Sequence, residues 1–276
     1  MTGHVTAPAA ALADQLPGWV TLLRAPNPGP MTLDGTNTWV LRAPRAAEAV
    51  VVDPGPLDEG HLDAIMAHAP ISLILLTHGH PDHVEAVDEL ARRAGAPVWG
   101  LADGYQRPDD PLTDGALFRA AGLTITAVPT PGHTADSVCF LVEGGSDRAV
   151  FTGDTILGRG TTVVAHPDGD LGDYLASLET LAAYEDLPAL PGHGPALADC
   201  AAAARFYLAH RRARLDQVRQ AVAQGARTPS EVVAAVYADV DRSLWPAAEW
   251  SVRAQLAHLD RETRESDPGV VGLDTP

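Results

Sequence analysis

The chain has 276 residues, a formal net charge of -17, 46% hydrophobic residues and 20% charged ones. That length allows one large core, or a core with a small appendage, and the acidic balance argues against sequence-independent wrapping of nucleic acid. No apolar run approaches the ~20 residues of a membrane span, and the two cysteines, Cys139 and Cys200, form no CxxC pair, so neither a thiolate zinc cage nor a disulfide framework is suggested.

The N-terminal segment, to about residue 15, has no basic start and no continuous apolar stretch. It reads as loose and predicts no signal peptide, hence a cytoplasmic setting. "TNTWVLRA" and "AVVVDPG" read as strands, the second ending at Asp53 and a Pro-Gly turn. "EGHLDAIMAHA" has the apolar spacing of a helix. "ISLILLTH" is a continuous apolar run without alternation, the mark of a fully buried strand. "VEAVDELARRAG" is a helix stopped by Gly95. "APVWG", "LTITAVPTPGH", "SVCFLVE" and "RAVFTGD" read as further strands, "LGDYLASLETLAAY" as a helix, and "PALPGHGP" as a short strand and loop.

From Asp199 the texture is helical: "ADCAAAARFYLAHRRARLDQVRQAVAQG", then "TPSEVVAAVYADV" with Thr228 as N-cap, Pro229 at the first helical position and Glu231 completing a capping box, then "PAAEWSVRAQLAHLDRE". Strands alternating with helices, with polar residues at strand ends, predict an α/β body with a site at loop mouths. The division expected is a body over residues 1–204 and a small helical domain over 205–276, packed together because no low-complexity linker separates them. Residues 1–204 carry 9 arginines against 26 acids, whereas 205–276 carry 10 of each.

The chemistry concentrates in "THGHPDHVEAV", straight after the buried strand. Histidine nitrogen and aspartate oxygen suit Zn²⁺. His78 and His80, two apart at a strand end, can reach one ion, while Asp82 and His83, beyond the turn at Pro81, point toward a second. Four such ligands are too many for one open catalytic zinc, so two ions are the economical reading. His133 in "PTPGHTADS", Asp154 in "FTGDT" and His193 in "LPGHGP" each follow an apolar stretch and sit beside a glycine that lets backbone approach an ion. Asp154, with two oxygens to share, is the natural bridge. His61, His68, His210 and His258 read as surface residues of helices, and His4 falls in the loose tail. His166, near Asp168 and Asp170, falls in a loop that can edge the site.

His78-x-His80-x-Asp82-His83, followed by His133, Asp154 and His193 in that order, resembles the metallo-β-lactamase fold. The resemblance implies a four-layer αβ/βα sandwich with metals at one edge. It assigns His78, His80 and His133 to the first metal, Asp82, His83 and His193 to the second, and the bridge to Asp154. Asp53 matches the aspartate that orients the ligand loop in that family. "NPGPMTLDGTNTWVL", "PGHTADS", "GTTV", "DYLASLETL", "LPGHGP" and the trailing helices are similar to the β-lactamase-like protein 2 branch, near the hydroxyacylglutathione hydrolases, over nearly the whole chain. That implies an endoribonuclease acting on single-stranded RNA and a winged-helix-like tail. Gly79, where a bulky residue is usual, and the long "VAHPDGDLGDY" link depart from the branch at the mouth of the site.

Two zinc ions, with Mn²⁺ or Fe²⁺ as alternatives, would share a water and lower its pKa toward neutral. Asp82 and Asp154 are the catalytic candidates: Asp82 orients the resulting hydroxide and Asp154 sets the metal spacing. Neither cysteine fits the second metal slot of zinc β-lactamases, which speaks against antibiotic hydrolysis. Two substrates stay open: single-stranded RNA, favoured by the resemblance, and a small thioester, ester or lactone, favoured by the acidic body. Arg205, Arg211, Arg212, Arg214 and Arg219 on one helix could serve RNA, or form a solvated face pairing with the body. Trp245 and Trp250 read as small-domain core.

Overall fold

The computed structural model describes residues 16–102, 104–105 and 115–266. The expectations for the N-terminal segment and for His4 lie outside the described residues. β1 (Val20–Arg24), β2 (Asn37–Leu41), β3 (Ala49–Val52), β4 (Ile71–Leu75) and β5 (Val98–Trp99) form one sheet in that order. β6 (Leu117–Ala120), β7 (Leu123–Pro129), β8 (Val138–Gly144), β9 (Asp147–Gly153) and β10 (Ala189–Pro191) form a second, ordered β10-β9-β8-β7-β6. Both sheets are mixed: β3, β4 and β5 run parallel, as do β9 and β10, and the other pairs are antiparallel.

Strand alternation explains the layers. Val50 and Val52 face the second sheet and pack with Trp39, Leu75, Phe140 and Phe151. Val51 and Ile74 face away, under α1 (Glu59–Met66) and α3 (Val87–Ala94), with Leu62, Ile65 and Leu90. The outer face of the second sheet, including Cys139 and Val150, packs under α4 (Leu171–Leu181) and α5 (Cys200–Ala223), against Tyr174, Leu178, Tyr207 and Leu208. The result is the αβ/βα sandwich expected. β4 is covered on both faces, Leu73 and Leu75 by one core and Ile74 and Leu76 by the other, which is why its sequence shows no alternation. Each large side chain so buried contributes about 1.5–3 kcal/mol.

Two strands escaped the sequence reading. β1 and β6 each lie at one edge of their sheet, their side chains half-exposed or exposed, so neither carries an apolar signature. The helix signals match the structure closely. Gly95 ends α3 in the left-handed region at φ 66°. α6 (Pro229–Val236) has Pro at its start and the reciprocal Thr228–Glu231 capping box. A 3-10 turn (Arg242–Leu244) leads into α7 (Trp245–Ser266).

The tail has its own small core of Val218, Val232, Val233, Ala248 and Val252. α5 serves both regions: Tyr207 packs in the body and Val218 in the tail. Arg261 of α7 pairs with Asp170, the N-cap of α4, at 2.6 Å. Trp245 packs partly buried against the tail core, but Trp250 is 48% exposed, contrary to expectation. Ala248 and Val252 define the apolar stripe of α7, and Trp250 stands off it. His61 also departs from its surface reading. It is buried, its Nε2 lies 2.8 Å from Thr38 Oγ1, and burial lowers its pKa. Among the described residues, no helix is long and apolar enough to cross a membrane.

Candidate metal centre

The seven residues singled out converge where β4, β7, β9 and β10 end. Beyond β4, Thr77 is fixed by Asp53, which accepts from its N–H (2.8 Å) and its hydroxyl (2.6 Å). His78 and His80 follow, and the single-turn helix α2 (Pro81–Val84) then swings Asp82 and His83 to the other side of the site. His133 sits on the turn after β7. There Gly132 has φ 136°, and a Cβ would lie 2.3 Å from Tyr174 Cα, so only glycine fits. Asp154 follows β9, and His193 follows β10 and Gly192.

His80 Nδ1 lies 3.0 Å from His78 Nε2 and 3.1 Å from His133 Nε2. His193 Nε2 lies 3.3 Å from His83 Nε2 and 3.1 Å from Asp82 Oδ2. Asp154 stands between the two groups: Oδ1 is 3.6 Å from His83 Nε2, and Oδ2 is 3.3 Å from His193 Nε2 and 3.8 Å from His133 Nε2. Three overlapping sets have donor atoms close enough for an ion: His78, His80 and His133; His78, His83 and Asp154; and Asp82, His83 and His193.

The outward ring nitrogens assign the tautomers. His83 Nδ1 faces Asp53 Oδ2 at 2.9 Å, His133 Nδ1 faces Val163 O at 2.6 Å, and His78 Nδ1 meets Thr77 Oγ1 at 3.1 Å. Proton donation outward leaves lone pairs on the inner nitrogens. Lone pairs facing one another at about these separations repel unless a cation lies among them. Asp154 Oδ1 is buried without a hydrogen-bond partner, a second sign that the donors present fit a cation.

The carboxylates and the histidines of the cluster shift one another's proton affinities. Burial works against the charged forms of Asp82 and Asp154, yet both carboxyls are held well below the usual range by His193 and His83. Burial would lower His193, but Asp154 and the hydrogen bonds to Asp154 and Asp82 raise it to about 10. Burial and its histidine neighbours push His78 far down.

Several contributors were not singled out from sequence. Thr77 links Asp53 to His78. Thr36 Oγ1 donates to Asp82 Oδ2 at 3.2 Å, and Thr162 Oγ1 lies 3.1 Å from His133 Nδ1. Thr77 had a signal, its place between the apolar run and the first histidine, whereas Thr162 had none. His166 is exposed, but Asp168 from its loop lines a groove beside His80. Gly79 borders that groove, and a Cβ there would lie 2.8 Å from Asp136 Oδ2, so the small residue matches its surroundings.

The ligand set opens into a cleft of ≈ 520 Å³ formed jointly by the body and the tail. His80, Asp82, His133, Asp154 and His193 lie at one part of it, and Met31, Leu157, Val163, Tyr237, Val240 and Leu244 give it a mainly apolar wall. The helix α5 arginines do not form one open platform. Arg205 pairs with Glu185, Arg212 with Glu179, and Arg219 with Asp216 and Glu262. Arg211 is buried and Arg214 lies over the Tyr237 ring; both line the cleft.

This fold and this His/Asp cluster are those of a metal-dependent hydrolase class, and residues 31–193 match the model of the metallo-beta-lactamase superfamily. The chain belongs to that superfamily. Residues 228–264 match the beta-lactamase associated winged helix domain. The beta-lactamase-like protein 2 homolog of Drosophila melanogaster is 32% identical over 259 residues, covering 86% of this chain and 86% of that protein. The atrochrysone carboxyl ACP thioesterase of Aspergillus fumigatus is 34% identical over 233 residues, 76% of this chain and 71% of that protein. A beta-lactamase domain protein from Burkholderia ambifaria shares the fold with a TM-score of 0.76 at 23% identity, over 91% of each chain.

Proposed function

We propose that the protein is a dinuclear-metal hydrolase of small acyl substrates, a thioester being the first choice. The observation that carries this reading is the cleft: the ligand cluster opens into a bounded, largely apolar space suited to an acyl chain. A relative of similar sequence is named a thioesterase, which supports the same class of bond.

His78, His80 and His133 would hold one cation, Asp82, His83 and His193 the other, with Asp154 shared between them. Zinc is the expected metal. When bound, the ions supply Lewis acidity and lower the pKa of an attacking water. The chain's own residues do the positioning. Asp53 and the Val163 carbonyl fix the His83 and His133 rings, and Thr36 fixes one oxygen of Asp82. The Asp82 side chain is 27% exposed, so its carboxylate can orient that water. Asp154, almost wholly enclosed, keeps its charge between the two ligand groups. The apolar wall limits competing water.

A second reading, endonucleolytic cleavage of single-stranded RNA, draws on the similarity to the beta-lactamase-like protein 2 homologs, which extends through the tail. Arg211 and Arg214 could meet phosphates in the cleft, but the paired arginines outside it weaken the idea of an extended RNA platform. The test is turnover by metal-loaded protein and its Asp154→Asn variant on an acyl thioester and on an unstructured RNA oligomer. Thioester hydrolysis confined to the parent protein supports the first reading. RNA cleavage confined to the parent protein, with no thioester turnover, replaces it with the second.

A further inference from the structure

We infer that the tail-side wall of the cleft is an anion subsite, in which Arg211 and Arg214 of α5 receive an oxyanion, carboxylate or phosphate, at the end of the substrate away from the scissile bond. The inference rests on the acyl-hydrolase reading and narrows its substrate to an acyl derivative with a charged tip.

Arg211 is only 4% exposed, and its Nε has no hydrogen-bond partner. One guanidinium nitrogen donates to Thr162 O, and the group lies 5.3 Å over the Tyr174 ring. Those contacts leave its Nε–H free for a ligand. Arg214 donates to Val236 O and to Gln217 Oε1 and sits 4.3 Å over the Tyr237 ring. Among the described residues, no carboxylate lies within ion-pair distance of either arginine, although Arg205, Arg212 and Arg219 of the same helix are all paired. Arg159, also on the cleft, is neutralised by Asp34.

A buried cation without a counter-ion is costly, and a charged ligand is the remaining source of one. His210 adds a buried Nδ1 without a partner on the same wall. Burial and the Arg211 and Arg214 charges bring its pKa down to about 4, so near neutrality it adds no charge of its own. The subsite is close to the ligand cluster, because Thr162 touches His133 through Oγ1 and Arg211 through its carbonyl. A short acyl chain should therefore bridge the two, with Leu157 and Val163 against its methylenes.

The experiment compares metal-loaded protein on succinyl, glutaryl and adipoyl thioesters of N-acetylcysteamine, each against the neutral acyl chain of the same carbon number. Arg214→Gln and Arg211→Lys are carried in parallel. The charged-to-neutral ratio of kcat/KM is read within each protein, so a general loss of rate cancels. The ratio should reach about tenfold or more for one length in the parent protein, mainly through KM, fall toward one in Arg214→Gln, and drop by a smaller factor in Arg211→Lys, which keeps the charge but loses the planar fork.

Calorimetry with hexanoate, adipate and a phosphonate-tipped hexanoate supplies a readout independent of turnover and separates carboxylate from phosphate-like tips. Adipate or the phosphonate should bind more tightly than hexanoate, and Arg214→Gln should remove the advantage. Should Arg211→Lys not fold, Arg214→Gln decides alone. Equal ratios at every length, or a preference that both variants keep, overturns the subsite. If no thioester is hydrolysed yet the doubly charged acids still gain affinity through Arg214, the hydrolase reading fails and the subsite stands. If neutral thioesters are hydrolysed with no charge preference and no arginine-dependent binding, the subsite fails and the hydrolase reading stands.

Discussion

Replacing Asp53 by Asn tests whether one buried carboxylate organises both halves of the cluster. Asp53 accepts three hydrogen bonds, from Thr77 N–H (2.8 Å), Thr77 Oγ1 (2.6 Å) and His83 Nδ1 (2.9 Å). Its φ of 52° lies in the left-handed region, which asparagine tolerates, so the substitution keeps shape and backbone while removing charge. One of the three donors must then face the new amide N–H₂. A hydrogen bond to a charged group is worth about 1.5–3 kcal/mol, and stranding its donor costs about 1–3 kcal/mol.

Metal affinity should fall roughly 10–100-fold, which is about 1.4–2.8 kcal/mol. Competition with a chromophoric chelator measures that loss. The reduced melting temperature should recover in excess metal, because binding favours the folded state. The loss should be greater at the ion held through His83, which Asp53 contacts directly, than at the one held through His78, which it reaches only by way of Thr77. Thr77→Val should give the opposite bias, since it cuts the relay and leaves the Asp53–His83 bond. Parent-like affinity at both ions in Asp53→Asn would refute the reasoning.

Gly192→Ala should bind metal at least about 100-fold more weakly in the same chelator assay. Its Cβ would lie 2.5 Å from Asp154 Oδ1 and 2.7 Å from His83 Cε1; an unchanged affinity would mean that the cluster shifts freely. Asp154→Asn should stay folded by circular dichroism, yet lose roughly a thousandfold or more in turnover, because the shared charge disappears. His210 should make the fold less stable in acid. Its folded-state pKa of about 4 lies below the unfolded value of about 6.5, so the unfolded chain takes up the proton first. Its contribution is therefore constant above that unfolded value and is lost as the pH falls from there toward 4. Urea titrations at two pH values should show a smaller loss in His210→Gln than in the parent.

The ligand residues could be read from sequence because each stands next to a strand that announces itself. The covered β4 forces an unbroken apolar run before His78, and the crowded turns after β7 and β10 require Gly132 and Gly192 beside His133 and His193. Residues that touch the site from a distance leave no such mark. Thr162 reaches His133 across 29 positions, and the Arg211 bond to Thr162 spans 49. No local spacing encodes these contacts; they exist only once α5 has packed on the second sheet. α5 likewise hides its double role, because its helical pattern runs unbroken from Tyr207 in the body to Val218 in the tail. A truncation at residue 205 would cut inside this helix, remove the buried Tyr207 and Leu208, and so unsettle the body rather than isolate the tail's contribution. The reactive centre thus belongs to short motifs, whereas the shape and charge of the cleft depend on how one long helix seats against it. Point changes at Arg211 and Arg214, which leave that helix in place, are therefore the way to separate substrate choice from chemistry.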